Sequence, residues 1–356
     1  INTPEKYDRK EYIGNTANHG EMVTVFAKLI IDNKDYGVNA FIVPLRDTQG
    51  NTLTGITIGD CGPKMGLNGV DNGTISFNNV VIPKENMLNR FASVNEKGEF
   101  ELLNGNQTGT LLSYYLLSRW KEAGKLDGKQ FMVNTIVTTE LINEIAAGFG
   151  VKCFNVLTGF KNIAAIIREL EGKETYIGGG EESYGYLVGD FVRDKDGVSA
   201  CAMVAEVIAY YKSQGKNVFQ VLAEIYSQFG FYKESLISVT KKGKDGAEQI
   251  QKLMADFRTN PPKEMNGSEV VKIVDVKNST VTQVQTGQVE KLEMDKSNVM
   301  QFYLADGSKI SARPSGTEPK IKYYFSVNSP ITDPKDYREV EAKLVEKLEG
   351  LRAYFS

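Results

Sequence analysis

Apolar runs separated by polar turn clusters occupy the first hundred residues and predict β-strands. The strand-like runs are rich in β-branched and aromatic residues, and polar turn clusters at 32–35 and 47–51 separate them. The predicted strands are 23–31, 37–43 and 74–82. No amphipathic helix is predicted in this stretch, so it is expected to form a β domain.

The pattern changes near residue 104 to an alternation of helices and strands. Leu111, Leu112, Tyr115, Leu116 and Trp120 recur at the spacing of one helix face. The further predicted helices are 140–147, 162–170, 198–211 and 218–229, and the predicted strands are 131–137, 151–157 and 175–177. Such alternation is typical of an α/β sheet.

From about residue 232 strands dominate, with a helix at 247–257 and another at the end of the chain. The predicted strands are 235–239, 270–276, 299–304, 309–312 and 320–327. The last helix has Asp333 as its predicted N-cap and Pro334 at the first helical position. Its predicted apolar stripe is Tyr337, Val340, Leu344, Leu348 and Leu351.

These patterns predict a multi-domain α/β and α+β fold. A partial β domain is expected at 1–100, an α/β domain at 103–230, and an α+β domain with helices on an antiparallel sheet at 231–356.

Composition restricts the classes of function. Hydrophobic residues make up 41% of the chain and charged residues 24%, as in ordinary globular proteins. The net charge of −3 gives no basic field, so no nucleic-acid partner is expected. No apolar run is long enough to span a bilayer, so no membrane partner is expected either. The chain starts without an initiating Met or a signal-peptide core, which predicts a fragment or a processed piece.

The three cysteines and the single histidine further restrict the kinds of catalytic and metal site that are expected. Cys61, Cys153 and Cys201 are far apart and odd in number, which favours buried thiols in a reducing, cytoplasmic location. His19 is the only histidine, so a His-based triad or a multi-His metal site is not expected.

Two polar loops carry the candidate chemistry. The segment 178–185, Gly-Gly-Gly-Glu-Glu-Ser-Tyr-Gly, offers carboxylates and a hydroxyl that suit the hydroxyls of a sugar. The segment 313–318, Arg-Pro-Ser-Gly-Thr-Glu, offers a guanidinium, hydroxyls and backbone N–H groups that suit a phosphate. Taken singly, each loop has a simpler interpretation. The segment 178–185 could be a solvated acidic loop, and the segment 313–318 could be a polar turn between two strands.

Residues 104–356 resemble the C-terminal half, the third and fourth domains, of an α-D-phosphohexomutase (a phosphoglucomutase or phosphomannomutase). The two loops occur in the family's order. The segments 104–109 (Asn-Gly-Asn-Gln-Thr-Gly), 158–161 (Thr-Gly-Phe-Lys) and 191–197 (Phe-Val-Arg-Asp-Lys-Asp-Gly) continue the match. The resemblance implies membership of a family of isomerases that bind hexose phosphates. Glucose 1-phosphate and glucose 6-phosphate are favoured over the mannose phosphates.

The resemblance also implies roles for individual residues. Lys195 matches an active-site lysine and is the candidate catalytic residue. The implied sugar contacts are Thr158, Gly159, Glu181, Ser183 and Lys195, and the implied phosphate contacts are Arg313, Ser315, Gly316 and Thr317.

In that family a phosphoserine in the first domain donates phosphate to the sugar, and Mg²⁺ beside it is held by three aspartates of the second domain. The present sequence has no Ser-His-Asn-Pro loop and no Asp-x-Asp-x-Asp-Arg run. Asp194 and Asp196 do not form that metal motif. Binding without catalysis is therefore expected, with no metal site and no cofactor bound by this chain.

Residues 1–95 resemble part of a different family, the middle β domain of acyl-CoA oxidases. The segments 55–73 and 77–87, with 14–19 (Gly-Asn-Thr-Ala-Asn-His), carry this resemblance. It implies FAD chemistry, with Gly14 and Asn15 near the flavin. However, only part of that family's domain is matched, and without the family the stretch shows no nucleophile and no acid–base pair.

A chimeric chain is therefore predicted, with its seam near 95–104 and an artificial join favoured over a natural fusion. Two alternative functions remain open at this point. One is a fragment of an FAD-dependent acyl-CoA oxidase, and the other is a sugar-phosphate binding module without turnover.

Overall fold

A computed structural model describes residues 1–5, 8–63, 69, 71–87, 93–94, 100–241, 243–315 and 318–355. The chain divides into two compact units, Ile1–Leu102 and Leu103–Ser356, called unit 1 and unit 2 below. Among the described residues, no helix combines the length and the apolar character needed to cross a membrane.

Unit 1 is built from antiparallel strands. β1 (Lys10–Gly14), β5 (Asn72–Phe77) and β4 (Ile56–Asp60) form one sheet in that order. β2 (Met22–Ile31) and β3 (Lys34–Pro44) form a hairpin, and short β6 (Ser93–Val94) pairs with β7 (Phe100–Glu101). The core residues are Phe41, Val43, Leu45, Ile56, Ile75, Phe77 and Val80. No α-helix occurs in the described part of unit 1, as the sequence predicted.

Two details of unit 1 differ from the sequence prediction. The strand predicted at 74–82 ends at Phe77, because Asn79 adopts a left-handed backbone with φ of 52°. The hairpin turn is tighter than the polar cluster suggested: Asp32 and Asn33 have φ of 51° and 61°, the geometry that joins twisted strands through two residues.

The first part of unit 2 has a four-stranded sheet in the order β11-β10-β8-β9. Its strands are β8 (Gln130–Thr135), β9 (Lys152–Val156), β10 (Thr175–Gly180) and β11 (Tyr186–Val188); the first three run parallel and β11 is antiparallel. The helices are α1 (Gly105–Glu122), α2 (Leu141–Gly148), α3 (Phe160–Leu170), α4 (Gly197–Ser213) and α5 (Val218–Phe229).

The second part of unit 2 is an antiparallel sheet in the order β12-β19-β18-β17-β14-β15-β16, with β13 paired to β14. The strands are β12 (Phe231–Thr240), β13 (Glu264–Met265), β14 (Ser268–Asp275), β15 (Thr280–Gln283), β16 (Val289–Lys291), β17 (Met300–Leu304), β18 (Lys309–Pro314) and β19 (Lys320–Ser329). The helices are α6 (Gly243–Thr259) and α7 (Tyr337–Tyr354). The predicted α/β and α+β fold class is thus confirmed.

One hydrophobic core runs through both parts of unit 2. At the junction, the rings of Tyr226 in α5 and Phe231 in β12 stack with centroids 4.2 Å apart, and Tyr337 of α7 stacks on Phe231 at 4.9 Å. The division of this unit at residue 230 stays a prediction.

Two further predictions need correction. Asp333 caps a short 3₁₀ turn, Pro334–Asp336, by accepting the Lys335 N–H, and α7 begins only after it at Tyr337. Cys201 is exposed on α4, whereas a buried thiol was expected; Cys61 and Cys153 are half-buried, and all three are unpaired. In the predicted stripe of α7, Val340 is half-buried and the other four residues are buried.

Candidate functional site

The carboxyl edge of the parallel sheet gathers the first set of candidate residues. β9 and β10 run in the same direction on either side of β8, so the segments that follow them leave the same edge. Thr158 and Gly159 follow β9, and Glu181 and Ser183 follow β10. The Gly159 N–H donates a hydrogen bond of 2.8 Å to Glu181 Oε1, so the two loops are in direct contact. Gly159 has φ of 106°, a backbone conformation that requires glycine.

The loop 181–185 has a fixed backbone. The Glu181 N–H donates to the Gly185 carbonyl at 2.7 Å, and the Tyr184 hydroxyl donates to the Leu103 carbonyl at 3.1 Å. Gly105, at the start of α1, lies so close that a Cβ there would be 1.9 Å from the Glu182 carbonyl oxygen. The side chain of Ser183 is exposed at the tip of this ordered turn, where it is available to a ligand.

Lys195 lies beside Glu181. A Cβ on Gly185 would be 3.0 Å from Lys195 Cδ and 3.2 Å from Glu181 Oε2, so the lysine stem and the carboxylate flank the same glycine. The Lys195 ammonium is 3.3 Å from Asp194 Oδ1, and its side chain is 54% exposed. An exposed ion pair of this kind is weak, so the ammonium can exchange Asp194 for an anionic ligand.

The second candidate loop joins β18 to β19. Arg313 lies in β18, and the Ser315 N–H donates to the Lys320 carbonyl at 2.8 Å. The Glu318 N–H donates to Ser315 Oγ at 3.3 Å. Gly316 and Thr317 lie outside the described residues.

A cleft of about 190 Å³ in unit 2 contacts the carboxylate loop at Glu182. Among the residues that the structure describes, none of the segment 313–318 lines this cleft. It is lined by Asn104, Gly105, Asn106, Val137, Glu182, Glu234, Ser235, Leu236, Tyr324 and Phe325. The Arg313 guanidinium and the Glu182 and Glu181 carboxylates lie close enough to the Tyr324 hydroxyl to act on it electrostatically. Burial and these carboxylates raise the pKa of Tyr324, and Arg313 opposes the rise. Tyr324 therefore lies between the carboxylate loop and the Arg313 loop.

Sequence reasoning missed the cleft residues Glu182, Glu234 and Tyr324. Burial raises the pKa of Glu182 despite a 3.5 Å hydrogen bond from Thr135 Oγ1. Burial also raises the pKa of Glu234 to about 7. The apolar–polar alternation of β12 and β19 could have placed Glu234 and Tyr324 on one face, but not at the cleft, because their pairing is not local.

The titration of Glu234 leads to a stability prediction. A carboxyl whose pKa is raised in the folded state favours folding at low pH, and that advantage is lost as pH rises towards the folded pKa. The free energy of unfolding should therefore fall between about pH 4.5 and pH 7. Glu234→Gln should remove about 1–3 kcal/mol of this fall. Urea unfolding at pH 5 and pH 8, followed by the fluorescence of the single tryptophan Trp120, measures the difference; parallel pH profiles for the two proteins would contradict it.

The described residues do not fit the Mg²⁺ that the resemblance implies. Among them, no group of three or more His, Cys, Asp or Glu side chains converges in a way that could hold a metal ion.

The loop of unit 1 that was expected near a flavin is hydrogen-bonded to other residues of unit 1. Gly14 ends β1, and Asn15 follows with φ of 59°. Asp71 accepts the N–H groups of residues 17, 18 and 19 at 3.1, 2.9 and 3.2 Å. Arg46 Nη2 donates to the carbonyls of residues 16 and 17 at 3.1 and 2.8 Å. The charged side chains of Asp71 and Arg46 therefore hold the backbone of this loop.

Comparison with known proteins shows which families the chain is similar to. Residues 104–229 match the family model of phosphoglucomutase/phosphomannomutase, alpha/beta/alpha domain III. This part of the chain therefore resembles the third domain of the α-D-phosphohexomutases, as the sequence predicted.

Several curated proteins similar to this chain are phosphoglucomutases. That of Staphylococcus aureus (strain MRSA252) is 37% identical over 236 residues, which is 66% of this chain and 42% of the relative. That of Staphylococcus epidermidis is 38% identical over 232 residues, 65% of this chain and 42% of the relative. The chain thus spans less than half the length of these relatives.

Solved structures similar to this chain come from both predicted families. The phosphoglucomutase pp63/parafusin from Paramecium is 18% identical with a TM-score of 0.44, covering 70% of this chain and 41% of that one. Acyl-CoA oxidase 1 from Yarrowia lipolytica is 38% identical with a TM-score of 0.27, covering 33% of this chain and 19% of that one.

Proposed function

We propose that this chain binds hexose phosphates, with glucose 1-phosphate and glucose 6-phosphate favoured over the mannose phosphates. The binding site is of the phosphoglucomutase type. The proposed sugar contacts are Thr158, Gly159, Glu181, Ser183 and Lys195, and the proposed phosphate contacts are Arg313, Ser315, Gly316 and Thr317. The domain proposed at 103–230 supplies the sugar contacts, and the domain proposed at 231–356 supplies the phosphate contacts.

One observation carries this proposal. Tyr324, whose raised pKa is opposed by the nearby Arg313 side chain, lines the same cleft as Glu182, and this supports a single site for the phosphate-binding loop and the carboxylate loop. Carboxylates at one end accept hydrogen bonds from sugar hydroxyls, and a guanidinium at the other end forms two parallel bonds to phosphate. Lys195, the candidate catalytic residue, adds a positive charge beside Glu181.

The reducing cytoplasm is the compartment that we propose for this binding. The three unpaired cysteines support it.

Replacing Arg313 by lysine tests the phosphate assignment. Lysine keeps the charge but loses the planar fork, so Arg313→Lys should weaken glucose 6-phosphate binding by about 1–3 kcal/mol. Isothermal titration calorimetry of the whole chain measures the change, and an unaltered melting temperature shows that the variant is folded. A folded Arg313→Lys protein with wild-type affinity would overturn the assignment.

Glu181→Gln serves as the matched variant at the sugar end. The amide oxygen can still accept the Gly159 N–H, so the loop should keep its conformation. Affinity for inorganic phosphate should be retained, while affinity for glucose 6-phosphate falls, because a charged acceptor for sugar hydroxyls is lost.

A further inference from the structure

Two lysines face one tyrosine ring on the antiparallel sheet of unit 2. Lys272 of β14 and Lys309 of β18 each lie directly opposite Tyr303 of β17 in the strand pairing. Residues directly opposite each other project from the same face of a sheet. The Lys272 ammonium is 3.7 Å from the centroid of the Tyr303 ring, and the Lys309 ammonium is 5.9 Å from it. The register of three strands thus holds two amines on one aromatic surface.

The two lysines differ in their partners. Lys309 is buried and forms an ion pair with Glu140, the residue that precedes α2. Among the residues that the structure describes, Lys272 forms no ion pair and donates no hydrogen bond, and its ammonium rests on the tyrosine ring. Lys272 is half-buried, so a reagent can reach it. Because hydrogen bonds to an ammonium favour its charged form, Lys272 loses no such partner when it gives up a proton.

The charges around Lys272 act on it from three elements, with Glu140 at the start of α2, Tyr303 on β17 and Lys309 on β18. Burial lowers the pKa of Lys272 and the positive charge of Lys309 lowers it further, whereas Glu140 opposes both effects. Burial raises the pKa of Tyr303, so its hydroxyl stays neutral and adds no negative charge. Gln283, opposite Lys272 on β15, is uncharged. Burial and an adjacent cation are two ways in which a lysine amine becomes nucleophilic.

We propose that Lys272 is a site of covalent acylation by acyl phosphates. The neutral Nζ attacks the acyl carbon, and the new N–C bond forms as the bond from that carbon to the phosphate oxygen breaks. The phosphate leaves with the electron pair and takes up the proton that the nitrogen releases, so the products are an amide and hydrogen phosphate. The positive charge of Lys309 beside the amine attracts the dianionic donor and stabilises the departing phosphate. This inference is independent of the proposed function.

The first test compares Lys272 with Lys343 in the whole wild-type chain. The protein is incubated with acetyl phosphate at about pH 8, and acetylation at each lysine is followed by peptide mass spectrometry. Lys343 on α7 is 68% exposed, and its hydrogen bond to Glu339 raises its pKa. Lys272 should react about fivefold faster although it is less exposed, because the fraction of free amine changes tenfold for each unit of pKa. In denaturing urea the two rates should become equal, since burial and the neighbouring charges are lost.

The class of donor is tested with a neutral reagent, N-hydroxysuccinimide acetate. Lys343 lies beside the carboxylates of Glu339 and Asp336, which repel a dianion, whereas Lys272 lies beside a cation. The preference for Lys272 over Lys343 should therefore be larger with acetyl phosphate than with the neutral reagent. Equal preferences with the two reagents would overturn the assignment to acyl phosphates.

Two variants should change the rate at Lys272 in opposite directions. Lys309→Gln should slow its acetylation, because Glu140 is released to pair with Lys272 and raises its pKa. Glu140→Gln should accelerate the reaction, because the charge that favours the ammonium is lost. Lys291→Gln, a change of the same charge on exposed β16, should leave the rate unaltered. Melting temperatures show which variants are folded.

The wild-type comparison decides the inference even if a variant does not fold. A rate at Lys272 no faster than that at Lys343 in the native chain would overturn it. A faster rate at Lys272 that persists in urea would also overturn it, since the reactivity would then come from the local sequence. Changes of the same sign in folded Lys309→Gln and Glu140→Gln proteins would contradict it as well, because the neighbouring charges would not control the amine.

Discussion

Purified as a chain of 356 residues, the protein is expected to bind glucose phosphates without interconverting them. A coupled assay that converts glucose 1-phosphate through glucose 6-phosphate should show no rate above the enzyme-free background. The sequence contains neither the serine loop nor the triple-aspartate loop that the resemblance requires for phosphate transfer. Loss of a nucleophile that acts as part of a unit removes nearly all rate enhancement, of the order of 10⁶-fold where it has been measured.

The control is a full-length phosphoglucomutase of the Staphylococcus type, assayed under the same conditions. Contaminating mutase from the expression host is the main risk in this assay, and the Arg313→Lys variant separates the two sources. Activity that survives repurification and disappears with Arg313→Lys would mean that this chain supplies its own phosphate donor. The expectation would then be wrong.

The sequence predicted the long elements of unit 2 well, because each has enough apolar positions to show its period. α5 and β19 are examples, with the predicted ranges 218–229 and 320–327 against Val218–Phe229 and Lys320–Ser329. β11 has only three residues and β1 only five, too few for an alternation to be distinguished from a loop. Such strands form because a longer neighbour offers an edge, and that pairing is not local.

The candidate site was predicted in part for the same reason. Glycine-rich loops with carboxylates or an arginine are visible as motifs, and the structure brings Gly159 into contact with Glu181. The opposition of Arg313 and Lys322 depends on the register of the hairpin that joins them, which the motif does not specify. The electrostatic interaction of Tyr324 with Arg313 likewise depends on a face shared by two strands.

An ion pair lies at the other end of the strand that carries Arg313. Lys309, at the start of β18, has a side chain that is only 6% exposed and is paired with Glu140, which precedes α2. Asn143 Nδ2 donates to Glu140 Oε2 at 2.9 Å and holds the carboxylate in place. This pair joins the parallel-sheet part of unit 2 to the strand that carries Arg313.

A second lysine, Lys272, also interacts with the Glu140 carboxylate. The Lys272 ammonium lies 3.7 Å from the centroid of the Tyr303 ring, and the Lys309 ammonium lies 5.9 Å from the same centroid. Burial lowers the pKa of Lys272, and the positive charge of Lys309 lowers it further, whereas Glu140 opposes both effects. The Glu140 carboxylate is therefore the negative charge that two neighbouring lysines share.

Glu140→Gln should consequently destabilise unit 2 by about 3 kcal/mol, since removing one partner leaves a buried charge uncompensated. Urea unfolding followed by Trp120 fluorescence reports on unit 2, because the chain's single tryptophan lies there. The midpoint should shift to lower urea with an unchanged slope, the signature of lost stability in an intact fold. Glu339→Gln makes the same substitution in an exposed ion pair on α7, at 70% side-chain exposure, and should move the midpoint little. Equal midpoints for Glu140→Gln and Glu339→Gln would show that Lys309 is compensated by solvent, and that the position of Arg313 does not depend on this ion pair.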